Sequence, residues 1–326
     1  MKALVCREYS GLDALQVEEL PSLTPGEGQV VVDVKVASVN FPDALIVYGK
    51  YQFKPPLPFT PGSEFAGVVK AVGPGVKTLK VGQCVLAMPG RGAFAQESVI
   101  TEAQAIPLAS NTDLAAAACM PMTYGTCYHA LKDRAQLASG EILLVLGAGG
   151  GIGVAAVELG KLLGATVIAA ASSDEKLAAA KSRGADHLIN YSSQDLRAQL
   201  KEIVGERGVD VTLDPVGGAY SEAALRSTGW NGRFLVVGFA AGEIPKIPLN
   251  LPLLKGNAIV GVFWGDFMKR QPQAGQEELA QLVRWLEQGK IKPLVSQRFD
   301  LANAKAALQA VYNRRATGKF VIVPGK

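Results

Sequence analysis

The chain has 326 residues, of which 48% are hydrophobic and 19% charged; at roughly 100–200 residues per domain this predicts about two domains with ordinary cores, and excludes a disordered chain or a disulfide-stapled mini-protein. The net charge is +4, but the basic residues are spread without a run that could follow a phosphate backbone, so a nucleic-acid role gains no support. Cys6, Cys84, Cys119 and Cys127 stand apart with no two-residue spacing, which reads as a reduced, cytoplasmic protein.

The start reaches Arg7 and Glu8 before any apolar run of signal-peptide length, and no stretch of about 18 apolar residues follows, so neither secretion nor a membrane span is expected. From Met1 to about Thr101 short β-type runs alternate with Gly/Pro turns, at Gln29 to Ala37, Gly67 to Val72 and Cys84 to Met88, and predict an irregular, mostly β region. Between Asn111 and Ala138 strand alternation stops; Thr112 and Asp113 mark a helix start, and a second helical stretch follows Pro121.

From Glu141 the rhythm becomes strand, glycine loop, amphipathic helix, strand, which predicts a parallel sheet with crossover helices. Strands are read at Ile142 to Leu146, Thr166 to Ala170, Val209 to Leu213, Arg233 to Val237 and Ile259 to Phe263, and helices at Ile152 to Leu163, Asp174 to Arg183 and Glu277 to Gln288. A tail of strand, helix and strand ends at Lys319 to Val323. The flanking segments, 1–120 and 266–326, are expected to form one domain around a nucleotide-binding domain at 121–265.

The loop Gly147-Ala148-Gly149-Gly150-Gly151-Ile152-Gly153 places small residues at Ala148, Gly150 and Gly153, where a dinucleotide loop needs a tight turn, close backbone approach to a pyrophosphate and close helix packing. The helix start then offers its positive end to the phosphates. After the second strand, the run Ile168 to Ser173 carries no acid to hold a ribose 2′-hydroxyl. Lys176 could meet a 2′-phosphate there, which favours NADP over NAD. A plain reading also stands: Ser172 or Ser173 caps a helix whose Lys176 faces solvent.

The two histidines, His129 and His187, lack ligand partners at a usable spacing and read as structural, so no metal site is expected. There is no nucleophile elbow and no P-loop. A nicotinamide enzyme without a Lewis acid suits an acceptor that already draws electrons, such as a quinone or an enone.

Ser38-Val39-Asn40-Phe41-Pro42-Asp43, PGSEFAGVV from Pro61, VGQCV from Val81, LGAGGGIGVAAVELGKLLGA from Leu146, GADHLINY from Gly184 and GRFLVVGF from Gly232 together resemble the zinc-independent quinone oxidoreductases, relatives of zeta-crystallin, in the medium-chain dehydrogenase/reductase superfamily. The resemblance covers nearly the whole chain. It implies an α/β protein with a GroES-like irregular β-barrel catalytic domain and a Rossmann domain, NADPH in the interdomain cleft, and a homodimer or homotetramer. Zinc members carry a Cys near Asn40 and a Gly-His-Glu where this chain has Gly62-Ser63-Glu64.

By the resemblance, Asn40 and Tyr51 line the nicotinamide and substrate cleft, and Thr126 approaches the nicotinamide. Gly149, Gly150, Gly151 and Ile152 hold the pyrophosphate. Ser172, Lys176, Tyr191 and Arg315 surround the 2′-phosphate, and Gly238, Phe239, Phe263 and Trp264 face the nicotinamide half. Leu45 stands where some relatives place a second cleft tyrosine. The expected reaction is hydride transfer from NADPH to a quinone or α,β-unsaturated carbonyl, with Asn40 or Tyr51 on the carbonyl and the proton from Tyr51 or solvent. Two alternatives remain open: an enoyl-thioester reductase of acryloyl-CoA type, with Lys50, Lys54, Lys269 and Arg270 as a basic rim, and a non-catalytic nucleotide binder. The apolar strand from Ala258 to Phe263 is either a dimer edge or an interior strand.

Overall fold

The computed structural model describes residues 1–325 and consists of two compact units, Met1–Met122 with Val283–Lys326, and Thr123–Leu282. The second boundary lies at 283 rather than 266. Residues 266–282 are tied to the second unit because Phe267 stacks on His129, with ring centroids 4.1 Å apart, and Glu278 lies 3.7 Å from the same imidazole.

In the first unit seven strands form one sheet. Its centre is Gln29–Ser38, where Val30, Val31 and Val32 are all fully buried because partners cover both faces. This strand pairs antiparallel with Glu64–Val72, Glu97–Thr101 and Lys319–Val323. Two register shifts against Glu64–Val72 bend the sheet, as extra residues in a ladder do. Phe65, Phe94 and Leu4 fill the core below it. The helix Phe41–Val47, absent from the sequence reading, starts at Asn40, with Pro42 in the first turn and the Asp43 carboxylate accepting from the Asn40 N–H at 2.8 Å. Asp113 caps Leu114–Ala118 by accepting from Ala115 N and Ala116 N.

The second unit is a six-stranded parallel sheet in the order His187–Asn190, Thr166–Ala171, Ile142–Leu146, Val209–Asp214, Thr228–Val236, Ala258–Gly261. Numbered within this unit that order is 3-2-1-4-5-6, the doubly wound Rossmann arrangement. The first strand is apolar throughout because both its faces are covered. Leu144 and Leu146 pack with Leu196, Leu200, Ala224 and Leu225 from two helices. On the alternate face, Leu143 lies so close to helix Gly151–Leu162 that a Cβ on Gly160 would sit 2.6 Å from its Cδ2. The last strand ends at Gly261, two residues earlier than its apolar run suggested. The helical stretch after Pro121 contains two widened π-type turns, Pro121–Gly125 and His129–Arg134. Among the described residues no helix is long and apolar enough to cross a membrane.

Candidate functional site

The glycine loop is built for close approach. Gly147 takes φ +61, and a Cβ on Gly153 would lie 2.2 Å from Gly147 O and 2.5 Å from Ala148 Cα. Only glycine lets the helix come this near the strand. Gly149 is enclosed differently, since a Cβ there would meet Lys176 Cβ at 2.3 Å. At Gly150, the N-cap of Gly151–Leu162, the nearest atom to a Cβ would be Gly147 O at 3.6 Å. That is ordinary van der Waals contact, so Gly150 is less confined than Gly149 and Gly153, and it stands at a helix start whose first N–H groups have no partner within the helix, which suits a pyrophosphate. The loop is braced from behind, because the Cys127 Sγ–H donates to Ile152 O at 3.2 Å and the buried Tyr124 hydroxyl to Glu158 Oε2 at 2.5 Å.

Three of the residues expected around a 2′-phosphate meet at one end of the sheet. Asn190 pairs with Ala171, so Ser172 and Tyr191 follow adjacent strand ends, and Lys176 Nζ donates to Ser172 Oγ at 3.3 Å. Ser173 caps Asp174–Lys181 by accepting from Lys176 N. Tyr191 lies against Tyr220, with ring centroids 4.2 Å apart. The nearby carboxylate of Asp174 is engaged by Asn190 Nδ2 at 2.8 Å. Arg315 belongs to the first unit, where it is exposed beyond the helix Ala304–Tyr312.

The loops after the fourth and fifth strands are tied to each other. Asp214, 3% exposed, accepts from Val216 N, Gly217 N and Ser221 Oγ, while its own carbonyl accepts from Val237 N and Gly238 N. The sequence reading missed Asp214, although an acid ending a strand before Pro-Val-Gly-Gly is a loop-closing signal. Phe239 and Phe263 are exposed, at 38% and 55%. Thr126 is buried at the start of a short helix. Trp264 is 2% exposed, and its indole packs on Gly125, where a Cβ would lie 2.4 Å from Cζ2.

In the first unit, Asn40 is the junction of a buried polar network. Its Nδ2 donates to Glu64 Oε1 at 2.8 Å, and its Oδ1 accepts from Lys319 Nζ at 2.6 Å. Lys319 also donates to Val39 O at 3.0 Å and lies 3.6 Å from Glu64, which accepts Met122 N on its other oxygen. Sheet register explains the meeting. Val321 pairs with Ser38, and two residues further along the antiparallel ladder Lys319 falls opposite Asn40. Both ends of the Asn40 amide are thus occupied, and the residue is 4% exposed. One Nδ2 hydrogen and one Oδ1 lone pair are left by these bonds.

Asp43 is a second residue the sequence reading missed. Its carboxylate accepts from Asn40 N and from Ser63 Oγ, and burial pushes the group up to about 7. Hydrogen bonds from Ser63 and Asn40 and the charge of Lys319 pull it down, while Glu64 raises it further. Tyr51 is half-buried against the unit's core. Burial, and to a lesser degree Asp43, raise its hydroxyl above the ordinary range, so it stays protonated near neutral pH.

His129 is not the isolated residue that its sequence spacing suggested. Its Nδ1 lies 2.7 Å from Asp133 Oδ2, one helical turn on, and 3.7 Å from Glu278 Oε1.

Residues 26–110 match the alcohol dehydrogenase GroES-like domain, and residues 151–288 match the zinc-binding dehydrogenase domain. The chain is 37% identical to the quinone oxidoreductase-like protein 2 of Rattus norvegicus over 322 residues, covering 98% of this chain and 91% of that one. It is similar to the Escherichia coli quinone oxidoreductase solved with NADPH, at 28% identity and a TM-score of 0.91, with 99% and 100% of the two chains covered. It is also similar to the Thermus thermophilus quinone oxidoreductase, solved alone and with NADPH, at 31% identity and a TM-score of 0.86, covering 99% and 100%. With a GroES-like unit, a Rossmann unit and this breadth of likeness, the chain belongs to the quinone oxidoreductase branch of the medium-chain dehydrogenase/reductase superfamily.

Proposed function

We propose that the protein is an NADPH-dependent oxidoreductase that reduces a quinone or an α,β-unsaturated carbonyl without a catalytic zinc. The observation that carries this reading is the sheet end beside the glycine loop, where Ser172 and Lys176 stand and the nearby carboxylate of Asp174 is held by Asn190. A lysine and a serine there suit a 2′-phosphate, whereas a ribose 2′-hydroxyl calls for an acceptor carboxylate. When bound, NADPH supplies the hydride. The backbone of Gly150, Gly151 and Ile152 holds the pyrophosphate, and Phe239 and Phe263 offer apolar surface to the nicotinamide half.

On the substrate side, Tyr51 donates to the acceptor carbonyl and drains charge from it as the hydride arrives. Asn40 is a positioning residue, locked by Glu64 and Lys319. Asn40 and Ser63 stand where zinc members carry Cys and His, and the Lys319 ammonium already supplies a cation to Glu64. The oligomer we infer is a homodimer. Its edge strand Ala258–Gly261 and the exposed Leu249, Leu253 and Leu254 form an apolar margin that a second copy would cover.

The test is NADPH oxidation by chelator-treated protein with a panel of quinones, enones, acryloyl-CoA and simple aldehydes, with NADH in parallel. Turnover confined to quinones or enones and faster with NADPH supports the reading. Preference for the thioester favours the enoyl-thioester alternative, and NADPH binding without turnover favours a nucleotide binder.

A further inference from the structure

We propose that His129, Asp133 and Glu278 form a binding site for one divalent cation of the zinc, cobalt and nickel class. One donor atom from each residue lies within 4.8 Å of the others, with Nδ1 of His129 2.7 Å from Asp133 Oδ2 and 3.7 Å from Glu278 Oε1. Zinc bonds of about 2.1 Å in tetrahedral geometry set donor atoms about 3.4 Å apart. The closest pair therefore needs to open by under about 1 Å, which the side chain of Asp133, 39% exposed, is free to do.

A second observation points to a ligand. Glu278 is 9% exposed, yet its Oε2 is buried with no hydrogen-bond partner. An unpaired buried carboxylate oxygen is costly and rare, and calls for an occupant that the protein does not itself supply. Asp133 and Glu278 also approach each other through their carboxyl groups, so two acids and one imidazole converge on one point. The donor set of one imidazole nitrogen with two carboxylates suits zinc-class ions, whereas calcium and magnesium favour oxygen alone.

The frame is rigid. His129 and Asp133 are one turn apart in the widened helix His129–Arg134, Glu278 comes from Pro272–Glu287, and the Phe267 ring lies nearly parallel to the imidazole, at 20°. Three protein ligands leave a fourth position for water, and Asp133, 39% exposed, is the ligand nearest solvent. All three residues belong to the second unit and none stands at a position where zinc members of the family hold their catalytic metal. A bound ion would pin Pro272–Glu287 to the segment whose Cys127 braces the glycine loop at Ile152.

The test is titration of chelator-treated, full-length protein with Co2+, read by calorimetry and by visible d–d absorption, followed by displacement with Zn2+. The expected result is one saturable equivalent, a rise in the thermal midpoint, and a loss of affinity of roughly tenfold to a hundredfold or more in both Glu278→Gln and Asp133→Asn. Far-UV circular dichroism confirms that each variant is folded. If Glu278→Gln fails to fold, the more exposed Asp133→Asn decides alone. Absence of saturable binding, or binding that the folded variants leave unchanged, overturns the proposal and marks an adventitious ion only.

Discussion

Asp43→Asn is expected to make the protein less sensitive to alkaline pH. The Asp43 carboxyl is fully buried and pushed from an ordinary 3.8 to about 7, so between those values the folded protein holds a proton that the unfolded chain has released. Stability contributed by this group is therefore highest below pH 3.8, falls as pH rises toward 7, and is constant above it. The full fall is about 4 kcal/mol, at 1.36 kcal/mol per pH unit of displacement. Between about pH 5.5 and 8.5 the part that remains is about 2 kcal/mol. An asparagine reproduces the protonated acid, because its carbonyl accepts from Asn40 N and its amide donates to Ser63 Oγ, the two partners Asp43 has now. Urea unfolding of wild type and variant at both pH values gives a difference of differences in which titrating groups remote from Asp43 cancel. The variant should gain about 2 kcal/mol on wild type across that window, with m-values unchanged. A gain of zero would mean that Asp43 is ionised in the fold throughout, and would refute the argument from burial.

Lys319→Met strips the cation from a fully buried Glu64 and should cost about 3–5 kcal/mol, the cost of breaking a buried pair, read as a fall in urea midpoint; a loss below about 1 kcal/mol would show the pair to be solvated. Gly153→Ala puts a Cβ 2.2 Å from the Gly147 carbonyl, so the loop backbone must move, and NADPH affinity should fall at least about tenfold with a loss of about 1–3 kcal/mol in stability. The double change Lys176→Ala, Arg315→Ala should raise the KM for NADPH by about tenfold or more while leaving that for NADH nearly unchanged. Equal effects on both cofactors would remove the 2′-phosphate role.

Where a feature is coded over a few neighbouring residues, the sequence showed it. The strand Ile142–Leu146, its glycine loop and the start of the following helix follow from apolar run, small residues and periodicity within about twenty positions. What stayed hidden depends on separation or exposure. Asn40 reads alone as a turn residue or a cleft amide, because its partners Glu64 and Lys319 lie 24 and 279 residues away. Trp264 carries no mark in the sequence of its packing on Gly125, 139 positions earlier. For His129, half the signal was present in the i, i+4 spacing to Asp133, but the third carboxylate comes from a helix placed outside this unit by a boundary drawn too early.

The first unit also shows how a buried carboxylate is held. Glu64 is wholly buried, and a buried charge without a counter-charge is strongly destabilising. Asn40 and Ser63 offer Glu64 an amide and a hydroxyl, neither of them charged, and the positive charge nearest to it is an ammonium of the chain. It comes from the C-terminal strand: the ladder between Lys319–Val323 and Gln29–Ser38 carries Lys319 to Asn40. Asn40 suits that junction because an amide both donates to the carboxylate and accepts from the ammonium, which neither Asp nor an apolar residue can do. The same position therefore serves two ends: it joins the acid to its cation, and as the cap of Phe41–Val47 it fixes the helix start that leads toward Tyr51.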